Sequence, residues 1–166
     1  MSDGGDLDGT KFFDAVLDAA AIDALHAASR RVVFPRGATL MRQGEPGTSM
    51  FTIVSGKVVV SVQERDGMHK VAELGPDDYV GEMSLLTGEP RTATVTAKGK
   101  VVAFETPKAA LQPVLAKAPH LCHQFATMVR DRQAELAQLH EDYSRWNSVG
   151  AEPAEIAARM TAFYSG

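Results

Sequence analysis

The stretch Gly81–Val95, GEMSLLTGEPRTATV, interrupts a series of β-rich segments, and the rest of the chain is interpreted outward from it. One predicted strand ends at Val80, and a second, TATVTA, follows the interruption. Gly81 allows the backbone to turn sharply. The letters SLLTG are long enough for one helical turn, and Pro90 stiffens the returning chain by fixing its φ angle. The sequence therefore predicts that the β structure opens here at a defined loop with a short helix in it.

A phosphate group beside a ribose suits this gap chemically. A short helix that begins near Ser84 leaves backbone N–H groups unpaired, and such groups attract anions. Arg91 lies on the returning segment, and its guanidinium suits bidentate contact with phosphate, while Thr92 adds a hydroxyl. Glu82 would repel a phosphate but can accept hydrogen bonds from sugar hydroxyls. An ion pair between Glu82 and Arg91 that only closes the loop explains the spacing equally well.

The segments on either side of the gap are typical of an antiparallel β domain. From Val32 onward, short β-rich runs are separated by glycine- and proline-containing turns. The dipeptide Asp66–Gly67 stands between VVVSVQ and HKVAEL, which is a strong hairpin signal. Two further strands, ATVTA and VVAFE, follow the gap. We therefore predict an α+β fold built on an antiparallel β-barrel or jelly roll, with helices at both ends.

The helical segments flank this β region. Residues 11–31 have apolar spacings of three and four, which predicts two short helices separated near Asp18, a suitable N-cap. After the last strand, Thr106 suits an N-cap and Pro107 a first helical residue, with the helix ending near Lys117. The letters AEIAARMTAFY predict a short final helix with an apolar face formed by Ile156, Met160 and Phe163.

A longer helix is predicted from Pro119 to Trp146, which at 1.5 Å per residue would extend about 40 Å. It would overshoot a small barrel and leave its distal apolar residues uncovered: Leu136, Leu139, Tyr143 and Trp146. Two outcomes remain open for that stripe. It could meet a protein partner or a second copy of the chain, giving a homo-oligomer through the C-terminal helix. Alternatively, the final helix folds back and covers it.

The quoted stretch resembles the phosphate-binding cassette of the cyclic nucleotide-binding domain family. That cassette reads Gly-Glu-x-(Ala/Ser)-Leu, then, several residues later, Pro-Arg-(Ser/Thr/Ala)-Ala, and every one of these positions matches here. Upstream, FPRGATLMRQGEPGTSMFTIVSGKVVV is similar to the opening of the family's barrel. The resemblance extends from about Phe12 to Arg132. With the Gly/Asp-rich residues 1–10 expected to be a disordered N-terminus, it implies a cyclic nucleotide-binding domain at 11–132 and a C-terminal helical extension at 133–166.

The resemblance also implies a role for each matching residue. Arg91 would pair with the cyclic phosphate, and Glu82 would accept a hydrogen bond from the ribose 2′-OH. Thr92 would lie near the phosphate and the purine. The backbone lining the site would come from Gly81, Met83 and Ser84, and the apolar wall against the base from Val71, Leu74, Val80 and Met83. Arg132, on the long lid helix, matches a base-stacking position, but it could equally be a solvated helix arginine.

The function implied is that of a regulatory sensor, not an enzyme. The ligand would be cAMP in preference to cGMP, although Thr92 could bond the 2-amino group of a syn guanine. Binding would draw the mobile lid helix onto the barrel. The cassette is especially similar to those of bacterial cyclic nucleotide-gated channels, so the chain is expected to be either a domain of such a channel or a free-standing sensor with a protein effector. The alternative is a catabolite-activator-like transcription regulator that lacks, or is separated from, its DNA-binding part.

Composition argues against several other classes of protein. A net charge of −4 does not favour a nucleic-acid-binding surface, and the residues after Trp146 lack a basic recognition helix. Of five histidines only His69 lies in the β region, so we expect no metal site and no cofactor other than the nucleotide ligand. A single cysteine, Cys122, suits a reducing compartment. Without a signal peptide or a membrane-length apolar run, the chain is expected to be cytoplasmic, either on its own or as the cytoplasmic domain of a membrane protein.

Overall fold

The computed structural model describes residues 11–14, 16–143, 146 and 152–165; the disorder expected at 1–10 lies outside these ranges. The strands are β1 (Arg30–Phe34), β2 (Thr39–Met41), β3 (Ser49–Ser55), β4 (Val58–Glu64), β5 (Gly67–Leu74), β6 (Tyr79–Val80), β7 (Thr94–Ala97) and β8 (Val101–Pro107). The helices are α1 (Lys11–Asp14), α2 (Ala19–Ala28), α3 (Glu82–Thr87), α4 (Lys108–Lys117), α5 (Leu121–Leu139) and α6 (Pro153–Tyr164).

The strands form two four-stranded antiparallel sheets, in the orders β1-β8-β3-β6 and β2-β7-β4-β5. Their inward faces share one apolar core, here called the sheet core, in which Phe51 and Ile53 of one sheet meet Val58 and Val95 of the other. The predicted hairpin joins β4 to β5, with Glu64 opposite Gly67. The predicted α+β jelly roll is confirmed, as two sheets and not as one closed barrel.

A second apolar cluster, here called the helix core, forms where α1, α2, α4, α5 and α6 pack together. Phe12, Phe13 and Phe125 lie at its centre, with ring centroids 4.8–5.9 Å apart. Cys122 is buried there, as expected for a core residue. The final helix, α6, adds Ile156 and Met160 to this core, which confirms the predicted apolar face at those two positions.

The N-terminal helix boundary is confirmed, and the one after the last strand is wrong by one residue. The Asp18 carboxylate accepts a hydrogen bond from the backbone N–H of Ala21, 2.8 Å away, and so caps α2. By contrast, Thr106 is the penultimate residue of β8, where it is paired with Met50, and its hydroxyl lies 3.0 Å from that of Ser29. Sheet pairing therefore takes the residue that local capping preference assigned to the helix, and α4 starts at Lys108.

The predicted helix from Pro119 to Trp146 is also wrong. α5 begins at Leu121 and ends at Leu139, and His140 is extended, with φ −127° and ψ 115°. Beyond it the chain turns back, so that Tyr143 and Trp146 are buried in the sheet core together with Leu136. Of the predicted partner-facing stripe only Leu139 is exposed, at 69%. Burial inside the jelly roll overrides the helical spacing, because a continued helix would leave two large aromatic rings in water.

α5 passes through the domain boundary expected at residue 132, and both Gln133 and Leu136 beyond it are buried. Within the described ranges, none of the helices is both long enough and apolar enough to cross a membrane.

Candidate functional site

Arg91 lies inside the protein at the end of the cassette, which we define as Gly81–Arg91. The side chain is only 8% exposed. Its Nη1 donates to the backbone oxygen of Ser49 at 2.5 Å, and its Nη2 donates to the Ser49 hydroxyl at 3.1 Å. That hydroxyl in turn donates to a carboxylate oxygen of Glu105 at 2.9 Å. Burial lowers the pKa of the Arg91 guanidinium, and the negative charges of Glu105, Glu82 and Glu45 oppose that shift.

Two glycines make room for this guanidinium. Gly81 has φ +84°, and a Cβ atom on it would lie 2.7 Å from Arg91 Nη1 and 3.1 Å from the backbone oxygen of Ser49. A Cβ atom on Gly47 would overlap Arg91 Nε. The sequence signals the turn at Gly47 through its neighbours Glu45 and Pro46, but not its contact with Arg91, because that contact spans 44 positions. Together these residues fix the position of one buried cation.

Glu82 is the first residue of α3 and is buried on all sides, with 5% of its surface exposed. Burial raises the pKa of its carboxyl, and the charge of Arg132 is the strongest opposing influence. Among the described residues Glu82 and Arg91 do not form an ion pair with each other, so the loop is not closed in that way.

The short helix α3 begins beside the Arg91 guanidinium, with Gly81 as its N-cap. Its first backbone hydrogen bond runs from Leu85 N to the Gly81 oxygen, so the N–H groups of residues 82–84 have no partner within the helix. The Ser84 hydroxyl donates to the Glu89 backbone oxygen at 2.8 Å. A cation and unpaired N–H donors in one loop are what an anionic ligand requires.

The structure brings five of the predicted site residues around one small cavity. Its lining consists of Met41, Gly81, Glu82, Met83, Ser84, Thr92 and Trp146. The predicted apolar wall residues Val71, Leu74 and Val80 are buried in the sheet core. Met41 and Trp146 were not predicted here. Met41 has no local signal in the sequence, and Trp146 was assigned to a helix that ends before it.

Arg132 lies on α5, but its surroundings are protein groups. Its guanidinium carbon is 3.7 Å from the centroid of the Tyr79 ring, a cation–π contact. Its Nη2 is 3.5 Å from an Asp78 carboxylate oxygen and makes no hydrogen bond. Its side chain is 14% exposed, so it is not a solvated surface arginine. A stacking contact between Arg132 and a base stays a prediction.

Trp146 fills most of the space next to the cassette. Its indole N–H donates to the Thr92 hydroxyl at 3.1 Å, and its side chain is 5% exposed. The Tyr143 ring packs edge-on against it, with centroids 5.3 Å apart. The cavity that remains is about 10 Å³, which is about the space for one water molecule.

Comparison with known proteins identifies the domain. The family model of the cyclic nucleotide-binding domain matches residues 31–118. A CRP-like cAMP-activated global transcriptional regulator of Mycobacterium tuberculosis is 33% identical over 117 residues, which are 70% of this chain and 52% of the regulator. A cyclic nucleotide-gated potassium channel of Mesorhizobium japonicum is 34% identical over 125 residues, which are 75% of this chain and 33% of the channel.

Among solved structures, the N-terminal domain of a transcriptional regulator from Streptomyces coelicolor superposes with a TM-score of 0.63 at 32% identity, covering 78% of this chain and 90% of that one. This chain thus spans about half the length of the mycobacterial regulator and about a third of the channel. The cassette and the two-sheet fold agree with a family match that covers more than half of the 166 residues, and so the chain belongs to the cyclic nucleotide-binding domain family.

Proposed function

We propose that this domain is a sensor that binds cAMP in preference to cGMP, with Arg91 on the cyclic phosphate and Glu82 on the ribose 2′-OH. The observation that carries the proposal is the Arg91 guanidinium. It is buried and held by Ser49, with no carboxylate in direct contact among the described residues. A buried charge without a counter-ion is costly, and a bound phosphate would remove that cost.

The remaining contacts follow from the neighbours of this cation. Gly81, Met83 and Ser84 line the cavity, and in this proposal their backbone N–H groups face the phosphate. The base is placed against the apolar wall formed by Val71, Leu74, Val80 and Met83. The preference for cAMP is supported by the mycobacterial regulator, whose name describes it as cAMP-activated. Thr92 is the residue through which guanine would gain a hydrogen bond if cGMP competes.

The proposed activity is binding without chemical change to the ligand. The hydroxyl of Ser84 in the cassette donates to the Glu89 backbone oxygen and is not placed as a nucleophile. Binding shifts the lid helix α5 from a mobile state to one drawn onto the sheets. In the ligand-bound state Arg132 stacks on the base. The shift can be no larger than the difference in affinity of the ligand for those two states.

The output is passed to a protein effector or to the remainder of a channel. The similarity to the Mesorhizobium japonicum channel supports the channel domain. The similarity to the mycobacterial regulator supports the second candidate, a catabolite-activator-like regulator whose DNA-binding part lies outside this chain. Both candidates predict no DNA shift by this chain alone, so a shift in an electrophoretic mobility assay with or without cAMP would contradict both.

Calorimetric titration with cAMP, cGMP and 5′-AMP tests the proposal directly. Arg91→Ala is expected to weaken cAMP binding by about 2–5 kcal/mol, because the desolvated phosphate loses its charged partner. Arg91→Lys keeps the charge but loses the forked donor geometry, so an intermediate loss is expected. Glu82→Gln should weaken binding less than Arg91→Ala, since a neutral amide still reaches the ribose.

The matched control is Arg36→Ala, which removes an exposed arginine far along the chain from the cassette and should leave the affinity unchanged. Circular dichroism and thermal melts establish that each variant is folded before it is titrated. Equal affinity for cAMP in the wild type and in a folded Arg91→Ala variant would remove Arg91 from the site. Equal affinity for cAMP and 5′-AMP would contradict recognition of a cyclic phosphate.

A further inference from the structure

The place that the proposed ligand would take is held by Trp146, and the Tyr143 ring packs against it, so the two are called the aromatic pair here. Tyr143 is 1% and Trp146 5% exposed, and both belong to the sheet core. Ligand pockets for molecules of nucleotide size are roughly 300 Å³ or larger. The cavity left beside Glu82 and Thr92 is about 10 Å³. A nucleotide cannot enter while the indole is present.

The indole occupies this place in a specific way. The indole is a flat ring system of a fused five- and six-membered ring, the same shape as a purine base, and it carries one N–H donor. Its N–H donates at 3.1 Å to Thr92, a residue expected near the phosphate and the purine. It also shares the cavity lining with Gly81, Glu82 and Met83 of the cassette.

The chain reaches this position through turns and not through a continued helix. After α5 ends, the N–H of Tyr143 bonds to the His140 oxygen, and the N–H of Trp146 bonds to the Tyr143 oxygen. Turns of this kind carry few long-range backbone bonds, so they can open at modest cost. Among the contacts of the described residues, Trp146 is held by burial and by its bond to Thr92.

We infer that Trp146 is an internal occupant of the nucleotide site, which a cyclic nucleotide displaces when it binds. This inference rests on the proposed function. It turns the C-terminal part of the chain into the direct reporter of ligand binding, because occupancy by the ligand and occupancy by Trp146 exclude each other.

The helix that follows Trp146 contacts the other side of the cassette. In α6, the Tyr164 hydroxyl donates to the Leu85 oxygen at 2.6 Å, and the Phe163 ring lies where a side chain at Gly88 would be. A guanidinium nitrogen of Arg159 lies 3.8 Å from the Glu89 carboxylate. In sequence the indole thus stands between α5, which carries Arg132, and α6, which contacts the cassette.

The first test uses the intrinsic fluorescence of the wild-type chain, in which Trp146 is the single tryptophan. Without ligand, emission at short wavelength and weak quenching by acrylamide are expected, because the indole is buried. Saturating cAMP should move the emission to longer wavelength and increase quenching. If Trp146 instead closes over the bound base as a lid, the emission stays at short wavelength and quenching falls further, and this result overturns the inference.

The second test is calorimetry on Trp146→Ala, with Leu139→Ala as the control at the exposed end of α5. If the open state of the wild type is populated at about 1–10%, removing the competitor should tighten cAMP binding roughly 10- to 100-fold. Leu139→Ala should bind as the wild type does. Trp146→Phe, which keeps a ring but loses the bond to Thr92, should fall between the two and serves if the alanine variant is poorly folded.

The outcomes separate this inference from the proposed function. Binding by Trp146→Ala that is tighter than wild type, or present only in the variant, supports both. Wild-type binding with no gain in a folded Trp146→Ala contradicts the internal occupant and leaves the sensor function standing. Absence of cAMP and cGMP binding in every folded variant contradicts the sensor function and the competition together.

Discussion

The cassette and the aromatic pair meet at one cavity, yet they are held there by different forces. In the cassette, backbone bonds fix the geometry: Arg91 N donates to the Glu45 oxygen at 2.9 Å, and the Arg91 oxygen accepts from Gly44 N at 2.8 Å. The backbone bonds described for the aromatic pair stay within its own turn, and its described contacts with the sheets are apolar burial and a side-chain hydrogen bond from Trp146 to Thr92.

This difference separates the parts that can recognise a ligand from those that can yield to it. Directional bonds keep a binding group in place whether or not a ligand is present, which preorganises the site. Burial has no direction, so another apolar group of similar shape, such as a purine, can replace the one that leaves. The comparison implies that the phosphate side of the site, formed by the cassette, is fixed. The base side, occupied by the aromatic pair, is exchangeable.

The largest expected effect concerns how the exchangeable side is held. Leu136→Ala should lower the free energy of unfolding by about 2–5 kcal/mol, because this side chain is buried in the sheet core. Leu139→Ala, three positions later and 69% exposed, should change it by less than about 0.5 kcal/mol. Urea denaturation measures both. Similar small losses for the two variants would mean that α5 is not anchored to the sheets by burial.

A smaller difference in the free energy of unfolding is expected between alanine variants of two glycines, one of which lies on the fixed side. Gly37 and Gly81 have nearly the same positive φ, +85° and +84°, but a Cβ atom at Gly37 meets nothing within 4 Å. Gly37→Ala should therefore cost only the backbone strain, about 1–2 kcal/mol. Gly81→Ala also displaces the Arg91 guanidinium, which adds roughly 1–3 kcal/mol.

Thermal and urea unfolding of both alanine variants measure this difference, and cAMP titration gives a second readout. Gly81→Ala should weaken binding, whereas Gly37→Ala should leave it unchanged. Equal losses of stability at the two positions would show that Arg91 is free to move aside, and the phosphate side would then not be rigid.

The fixed side was also the more predictable one. Gly81, the helical turn after it, and the return at Pro90 are local features, so a short stretch of sequence contains the information for them. The same holds for the Asp18 cap and for the hairpin at Asp66–Gly67, which the structure confirms. Where neighbours in sequence are also neighbours in space, residue type and spacing suffice.

The exchangeable side was mispredicted because its structure depends on distant residues. Leu136, Tyr143 and Trp146 keep a helical period, and nothing local marks the end of α5 at Leu139. The sheet core that receives the two rings is assembled from strands some 40 to 100 positions earlier in the chain. Spacing shows that the residues are apolar and periodic, but not which surface will bury them. The contacts of Gly47 and Ser49 with Arg91 were missed for the same reason.

The smallest expected effect is the change in stability when the buried Glu82 carboxylate of the fixed side is made neutral. Burial raises the pKa of the Glu82 carboxyl above its ordinary value of 4.5 in the folded protein. The folded state therefore binds this proton more tightly than the unfolded state does, and the stability of the wild type falls as the pH rises through the window above 4.5. Glu82→Gln removes that loss and should stabilise the ligand-free domain at pH 7 by on the order of 1 kcal/mol, while weakening cAMP binding.

Glu73→Gln is the control of opposite sign, because hydrogen bonds from Lys98 and Lys70 lower the pKa of the Glu73 carboxyl. Its contribution is present above the ordinary carboxyl pKa and is lost as the pH falls through the lowered one, so this variant should be slightly destabilised at pH 7. Urea denaturation at pH 4.5 and pH 7 measures both differences from the wild type. If Glu82→Gln is destabilised at pH 7 like Glu73→Gln, the carboxylate supports the fold and is not held there at a cost to it. If the Glu82 carboxylate instead serves recognition, Glu82→Gln is stabilised at pH 7, because the hydrogen-bond donor that compensates the buried charge arrives only with the ligand.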